Sequence, residues 1–286
     1  MTDYRIIKRE HRDVLGEGPL WSQSRQAVFW VDIKGKRVNR LSLADDKVDS
    51  WQLDVMIGWI IERRHHKSFV AGLESGVAVL DLDPLAIHLM MTLEPGKPNN
   101  RLNDAKADRQ GRIFAGTMDR EGRGDAGAFY RIDPDYTTHL LDQGYGVANG
   151  PAISPDQATI YHTDSVKGVI YAFDLAPDGC ISNRRDFLCF PSEWGSPDGM
   201  TTDEEGCLWV AHWDGARVSR FTPDGKLDRA IALPASRITS CTFGGDNLDR
   251  MFITSASEGC EHEPLAGSLF EVEPGVRGLP TPVFNG

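Results

Sequence analysis

Residues 149–175, NGPAISPDQATIYHTDSVKGVIYAFDL, contain the pattern that decides the fold of this chain. The turn residues Asn149-Gly150-Pro151 come first, and two apolar segments follow, Thr159–Thr163 and Val169–Leu175, with a polar turn between them. A further amphipathic segment, Asp186–Phe190, completes the unit. Short apolar segments bounded by turn residues predict β-strands joined by tight turns. The stretch therefore predicts one antiparallel sheet of about four strands.

Related patterns return along the whole chain about every 41 to 49 residues, which is the length of a propeller blade. The copies begin near Gly18, Gly58, Asn103, Gly150, Asp198 and Thr242. Helical periodicity is hard to find, and many short strands with turn signals are typical of a barrel, a sandwich or a propeller. The blade-length period favours the propeller. We therefore predict an all-β fold, a six-bladed β-propeller with four-stranded blades, forming a single domain over residues 1–286.

One segment near the start, Tyr4–Glu10 (YRIIKRE), is predicted to be a strand but has no hairpin partner next to it in the sequence. A strand without a neighbour would leave an unpaired edge, which natural sheets avoid. We expect this segment to pair with the last repeat as the outer strand of that blade. Such pairing would close the ring of blades.

The composition is that of an ordinary globular chain, with 26% charged residues and a net charge of −11. This acidic balance disfavours nucleic acid and anionic membrane surfaces as partners. Neither the polar start of the chain nor any apolar run fits a signal peptide or a membrane span. The five cysteines form an odd set without C-x-x-C spacing, which fits reduced thiols better than a disulfide framework or a zinc site. We expect a cytoplasmic protein.

Three distant segments each place an oxygen-bearing side chain beside a glycine, and these side chains are Glu17, Asn149 and Asp198. Taken singly, the segments at Asn149 and Asp198 are better explained as simple turns, whereas Gly-Glu-Gly at Glu17 favours metal ligation over an exposed turn acid. In a propeller, however, equivalent positions of the innermost strands face one central channel, so a shared place in the repeat favours convergence. Two carboxylates and one amide carbonyl suit a hard divalent cation that keeps positions open for water or substrate.

Two further segments are candidates for substrate contact. Asn99–Asp104 (NNRLND) is the densest polar cluster; in it Arg101 offers a planar fork of donors and Asn103 offers both a donor and an acceptor. The long glycine-rich connection 116–125 has the length typical of a substrate-contacting loop, and either Asp119 or Glu121 could reach the channel mouth from it. The alternatives are a solvated loop for the first segment and simple exposure of the two acids for the second.

Several of these residues belong to longer motifs that follow one another in a fixed order over nearly the full chain. The motifs are Leu15-Gly16-Glu17-Gly18-Pro19-Leu20-Trp21, Arg101-Leu102-Asn103-Asp104, Gly111-Arg112, Phe114-Ala115-Gly116-Thr117-Met118, Asn149-Gly150-Pro151, Tyr161-His162-Thr163-Asp164 and Pro197-Asp198-Gly199. With them the chain resembles the senescence-marker-protein/gluconolactonase family of regucalcin-like sugar lactonases. The resemblance implies a six-bladed propeller with one divalent cation. It also implies metal ligation by Glu17, Asn149 and Asp198, and substrate contacts for Arg101, Asn103 and Glu121.

The function that follows is the hydrolysis of a sugar acid lactone, such as a glucono-, xylono- or arabinono-lactone, to the aldonic acid. Asp198 is the expected general base, because a carboxylate beside the cation can take a proton from water. Arg101 and Asn103 would orient the sugar. Oxygen ligands suit calcium, magnesium or manganese, and zinc and ferrous iron fit as well. We expect a monomer whose only partner is a small-molecule sugar lactone of carbohydrate metabolism.

Two other functions fit the same residues. The first is a hydrolase of other esters or of organophosphates, because a propeller alone does not define the substrate. A sugar substrate favours a polar mouth and an apolar ester favours aromatic walls, so the polar cluster 99–104 favours the sugar. The second is a calcium-binding propeller without enzymatic activity, in which the cation would be fully ligated by protein.

Overall fold

The computed structural model of the chain describes residues 3–286, which form 24 β-strands and one short 3-10 helix, Ser192–Trp194. The strands build six antiparallel sheets of four strands each. The all-β, six-bladed β-propeller predicted from the sequence is confirmed. Within residues 3–286 no helix is both long and apolar enough to span a bilayer.

Each sheet is built from strands that are consecutive in the chain, apart from the last. The first sheet contains β2 (Gly16–Ser22), β3 (Ala27–Asp32), β4 (Arg37–Ser42) and β5 (Val48–Gln52). The second contains β6 (Ile57–Glu62), β7 (Phe69–Leu73), β8 (Gly76–Leu82) and β9 (Leu85–Thr92). The third contains β10 (Asn100–Ala107), β11 (Ile113–Asp119), β12 (Gly127–Ile132) and β13 (Thr138–Tyr145).

The remaining three sheets follow the same plan. The fourth contains β14 (Ala148–Ile153), β15 (Thr159–Asp164), β16 (Val169–Leu175) and β17 (Ile181–Cys189). The fifth contains β18 (Ser196–Thr202), β19 (Leu208–Trp213), β20 (Arg217–Phe221) and β21 (Leu227–Ala232). The sixth contains β22 (Ile238–Gly244), β23 (Arg250–Ser255), β24 (Phe270–Val272) and, as its outer strand, β1 (Tyr4–Ile6).

The N-terminal strand β1 pairs with the end of the chain, with Tyr4 opposite Val272 and Ile6 opposite Phe270. The prediction that this strand extends to Glu10 is wrong, since it ends at Ile6. The Arg9 guanidinium donates to both carboxylate oxygens of Asp13 at 2.6 and 2.7 Å. Backbone pairing on this side ends with Ile7, whose N–H donates to the Leu269 carbonyl at 2.9 Å, and Arg9 is instead paired with Asp13.

The chain forms two compact units. The first unit comprises the residues up to Asp54 together with Phe190–Thr281, and it holds the first, fifth and sixth sheets. In it the innermost strand β22 lies against both β2 and β18. The second unit comprises Val55–Cys189 and Pro282–Gly286; it holds the second, third and fourth sheets, and its strand β10 lies against β6 and β14. The single-domain organisation over residues 1–286 stays a prediction.

The hydrophobic core of each unit lies between neighbouring sheets. Trp209 and Phe243 are buried together between the fifth and sixth sheets, and Phe114 and Phe129 between the third and fourth. Burial of one such side chain stabilises the fold by about 3 kcal/mol. The C-terminal segment adds Phe284, which is fully buried against the second and third sheets and donates its backbone N–H to the Glu62 carbonyl at 2.8 Å.

Candidate functional site

All six innermost strands carry a β-bulge, in which the strand has one residue more than its partner. The register shifts lie between Glu17 and Leu20, Ile57 and Trp59, Leu102 and Ala105, Asn149 and Ala152, Pro197 and Met200, and Ile238 and Ser240. A bulge twists the strand and re-aims the side chains beside it, and bulges are common next to active sites. The repeat therefore places an irregularity of the same kind in every blade.

The predicted site residues occupy these bulges in two ways. Glu17 and Asn149 are the last paired residues before their bulges, opposite Val31 and Thr163. Asn103 and Asp198 lie one position further along their strands, among the residues that the bulge leaves without a ladder partner. The predicted site residues therefore do not share one position in the repeat but occupy two neighbouring positions at the bulge.

In the first unit, both predicted ligands are buried carboxylates. Glu17 is 5% exposed and Asp198 is 3% exposed. One carboxylate oxygen of Glu17, Oε2, accepts the backbone N–H of Gly18 at 3.1 Å. Transferring a carboxylate from water into a protein interior is costly unless a positive group or hydrogen-bond donors compensate. Two buried carboxylates at bulges are therefore suited to hold a cation.

The glycine after Asp198 is explained by close packing within the first unit. A Cβ atom at Gly199 would lie 2.2 Å from the Ser240 hydroxyl oxygen of β22 and 2.9 Å from the Thr239 carbonyl. Only glycine permits this approach of β18 to β22. The Asp-Gly pair, which alone reads as a turn, is thus set by strand packing at the bulge.

In the second unit, four polar side chains form one continuous row of hydrogen bonds, which we call the amide chain (Arg101, Asn103, Asn149 and Ser165). The Arg101 guanidinium donates from Nη1 to Asn103 Oδ1 at 2.7 Å. Asn103 Nδ2 donates to Asn149 Oδ1 at 3.0 Å, and Asn149 Nδ2 donates to the Ser165 hydroxyl oxygen at 3.1 Å. The structure thereby brings the predicted residues Arg101, Asn103 and Asn149 together.

Asp104 is a buried residue of the site that sequence reasoning did not single out. Its Oδ1 accepts the backbone N–H of Ala105 at 2.7 Å, and the backbone N–H of Gly150 also donates to this carboxylate. Burial raises the pKa of Asp104 from 3.8 to about 6, although Lys106 and the two backbone donors act against this. Since Asp104 belongs to the polar cluster 99–104, the available signal was its place in that cluster.

The two acids of the glycine-rich connection after β11 differ in exposure and in their partners. Asp119 is buried, and its Oδ1 accepts the backbone N–H groups of Glu121 at 2.9 Å and of Arg123 at 3.3 Å, so it shapes the loop. The Glu121 side chain is 67% exposed and forms an ion pair with Arg123 at 2.9 Å. Neither acid belongs to the amide chain.

The donor atoms fit a hard divalent cation. The Asn149 oxygen accepts one hydrogen bond, from Asn103, and its second lone pair can ligate a cation, while the carboxylates of Glu17 and Asp198 supply further oxygens. Within residues 3–286 no three His, Cys, Asp or Glu side chains are grouped as metal ligands. The predicted set differs from such a group in having an amide as one of its three donors.

Comparison with known proteins places the chain in a family. The family model described as the SMP-30/gluconolactonase/LRE-like region matches residues 15–257. The chain belongs to this family. The resemblance drawn from the sequence motifs is thereby confirmed.

Relatives within the SMP-30/gluconolactonase/LRE-like family match over nearly the whole chain. The 6-deoxy-6-sulfogluconolactonase of Pseudomonas putida is 34% identical over 279 residues, which cover 96% of each chain. Regucalcin of Gallus gallus is 35% identical over 285 residues, which cover 95% of each chain. The solved structure of regucalcin from Agrobacterium tumefaciens, described as a calcium-binding protein, has a TM-score of 0.94 at 25% identity and covers 100% of this chain and 98% of its own.

Proposed function

We propose that this protein is a divalent-cation-dependent lactonase that opens a sugar acid lactone to the aldonic acid. Its relatives in the family include a protein named as a sulfogluconolactonase, matched over almost the full length. The observation that carries the proposal is the place of Glu17, Asn103, Asn149 and Asp198, which are buried at bulges of innermost strands, with the buried Arg101 on the same strand as Asn103. A chain that only needed turns there would have no reason to bury two carboxylates and a guanidinium.

The proposed ligands of the cation are Glu17, Asn149 and Asp198. Both carboxylates are buried, and the Asn149 amide is held at each end by a neighbour. When bound, the cation would polarise the lactone carbonyl and make an adjacent water more acidic. Calcium is supported by the description of the related regucalcin, and magnesium, manganese, zinc and ferrous iron accept the same donors.

In the proposed reaction Asp198 acts as the general base. It takes a proton from a water molecule whose oxygen attacks the carbonyl carbon of the lactone. The bond between that carbon and the ring oxygen then breaks, and the proton passes to the ring oxygen, which becomes a hydroxyl group. The products are a carboxylic acid and an alcohol within one open-chain molecule, so the atoms of lactone and water are all accounted for.

Arg101 would stabilise the negative charge that develops on the lactone oxygen. Its guanidinium is buried and positively charged, and Nη1 is fixed by the Leu102 carbonyl at 3.0 Å and by Asn103. A preorganised donor of this type is worth about a hundredfold or more in rate. Glu121, in contrast, reaches substrate only if the loop 116–125 rearranges and the exposed ion pair between Glu121 and Arg123 is broken.

The proposal is tested by measuring acid release from a panel of aldonolactones, including a 6-deoxy-6-sulfo compound. The protein is first treated with a chelator and then supplied separately with calcium, magnesium, manganese, zinc or ferrous iron. We expect turnover to disappear with chelation and to return with at least one cation. Full activity after exhaustive chelation would contradict the metal requirement, and turnover of aryl esters or organophosphates alone would contradict the sugar substrate.

A second candidate function is calcium binding without catalysis, which the description of the Agrobacterium tumefaciens relative supports. It predicts stoichiometric calcium binding by calorimetry together with no acid release from any lactone of the panel. The same samples therefore decide between the two functions. A cytoplasmic location and a monomeric state stay predictions, which fractionation of cells and analytical ultracentrifugation would check.

A further inference from the structure

The hydrogen bonds of the amide chain all run in one direction, from donor to acceptor, and Arg101 is the donor at its start. A guanidinium has only donors, so Asn103 must turn its oxygen toward Arg101. The Asn103 nitrogen then faces Asn149, and Asn149 must turn its own oxygen toward that nitrogen. A serine hydroxyl both donates and accepts, so Ser165 accommodates either orientation of Asn149. The orientation is therefore imposed through Asn103, by Arg101 at its oxygen and by the Ala148 carbonyl at its nitrogen.

The backbone around Asn149 is fixed independently of its side chain. Asn103 Nδ2 also donates to the Ala148 carbonyl at 2.9 Å, and the Gly150 N–H donates to the Asp104 carboxylate. The residues on both sides of Asn149 are thus tied to the bulge of β10. The remaining freedom of Asn149 is rotation of its amide group, which exchanges oxygen and nitrogen.

That exchange matters for a cation because the two ends of an amide differ. An amide oxygen ligates hard cations, whereas the NH₂ group offers two donors and repels them. A reversed Asn149 would present nitrogen where the proposed site needs oxygen. It would also set two NH₂ groups against each other as long as Asn103 keeps its orientation.

We propose that Arg101 is a positioning residue for the metal ligand Asn149, acting through Asn103. This inference rests on the proposed function, and it assigns Arg101 a role in metal binding before any substrate is present. For the loss of Arg101 it predicts a change in cation affinity opposite in sign to the one that simple electrostatics predicts. Removal of a positive charge near a cation should tighten cation binding by Coulomb's law. Loss of the direction of the amide chain should weaken it.

The test is calorimetric titration of the substrate-free protein with calcium or manganese, after removal of bound metal. We expect Arg101→Met to weaken binding about tenfold, which is typical for residues that orient metal ligands. Unchanged or tighter binding by Arg101→Met would overturn the inference. Absence of binding by the unmodified protein would instead overturn the proposed function, so the two failures are distinguishable.

Two further variants separate positioning from charge and from folding. Asn149→Asp replaces the amide with a carboxylate, whose two oxygens are equivalent, so in that background Arg101→Met should no longer weaken binding. A tenfold loss that persists in the Asn149→Asp background would contradict the inference. Arg120→Met is the matched control, because Arg120 is paired with Glu74 at 3.1 Å outside the amide chain and also carries one positive charge. We expect this control to bind the cation at least as tightly as the unmodified protein.

Asn103→Asp provides a variant that does not remove bulk. The introduced carboxylate would accept from Arg101 but could not donate to Asn149, so the Asn149 amide would be free to turn its nitrogen inward. We expect weaker cation binding although the variant adds a negative charge. Tighter binding, as expected for an added carboxylate alone, would count against the inference. Thermal unfolding of each metal-free variant identifies any that fail to fold.

Discussion

The two compact units carry candidate ligands of different chemistry. The first unit supplies Glu17 and Asp198, which are buried carboxylates on β2 and β18. The second supplies Asn149, an uncharged amide that needs the support of Asn103 and Ser165. A carboxylate carries charge and has two equivalent oxygens, whereas an amide has no charge and one correct orientation. The first unit therefore provides charge and the second provides direction.

The hydrogen bonds of Asn149 and Glu17 illustrate this difference. The amide chain of the second unit is a row of side chains, and it is anchored at a guanidinium. The Glu17 carboxylate accepts from the backbone N–H of the next residue. Ligands that can present the wrong atom need neighbours that forbid it, because only one end of the amide binds a cation.

The largest expected effect is that of replacing a buried carboxylate of the first unit. Asp198→Asn keeps the size of the side chain but removes both the negative charge and the general base. We expect kcat/KM for the preferred aldonolactone to fall about a thousandfold or more. Asp224→Asn is a suitable control, since Asp224 lies in an exposed turn and pairs with Lys226. Near-normal hydrolysis by Asp198→Asn would remove Asp198 from the mechanism.

The cost of burying a carboxylate in the first unit can be measured at Asp13. Burial raises the pKa of Asp13 from 3.8 to about 6, although Arg9 and the Trp30 indole act against this. Because the folded pKa lies above the unfolded one, folding favours the protonated form. The stabilisation is present below about pH 4 and is lost as the pH rises through about 6.

Asp13→Asn should remove this pH dependence. The free energy of unfolding of the unmodified protein, minus that of the variant, should fall by about 2 kcal/mol between pH 4 and pH 7. Chemical denaturation at a series of pH values measures this difference. A difference that stays constant across the range would show that Asp13 titrates alike in the folded and unfolded chains.

Exchanging the two ligand chemistries tests the comparison directly. Glu17→Gln removes a charge and introduces an amide, of which only the oxygen end binds a cation. We expect calcium affinity to fall about tenfold to a hundredfold. Asn149→Asp should retain or increase affinity, because it adds charge and removes the need for orientation. Calorimetry of both variants measures these affinities. Equal losses of calcium affinity in the two would contradict the assignment of charge to one unit and of orientation to the other.

The smallest expected effect concerns the exposed loop. Because Glu121 is solvent-exposed whereas Asp119 holds two backbone N–H groups, Asp119→Ala should raise KM more than Glu121→Ala does. We expect less than about a fivefold change in kcat/KM for Glu121→Ala, in the range of other exposed ion pairs. A larger loss for Glu121→Ala would show that the loop rearranges to bring Glu121 to substrate.

The sequence predicts strand boundaries best where a strand coincides with one apolar segment. Val169–Leu175 was predicted as a strand and is β16 with the same bounds. The outer strand β17 begins at Ile181, five residues before the predicted Asp186, and most of that difference is the polar run Ser182-Asn183-Arg184-Arg185. Outer strands face solvent along their edges, so apolar alternation does not mark where they start.

The site was less accessible from the sequence for a physical reason. Glu17, Asn149 and Asp198 stand out because each is an oxygen ligand beside a glycine. The contact between Asn149 and Ser165 depends on the pairing of β14 with β15 and on one side-chain rotamer. A bulge is likewise a property of two paired strands, so a single strand read alone does not reveal it.

The pairing of β1 with β24 has a consequence for how the chain is made. Arg5 and Glu271, which pair across these strands, are 266 residues apart, so Arg5 is synthesised long before its partner. The sixth sheet therefore stays incomplete until Phe270–Val272 have been synthesised, whereas each of the other five sheets is built from consecutive strands. Until then Tyr4–Ile6 has an unpaired edge, and a product truncated before Phe270 keeps that edge.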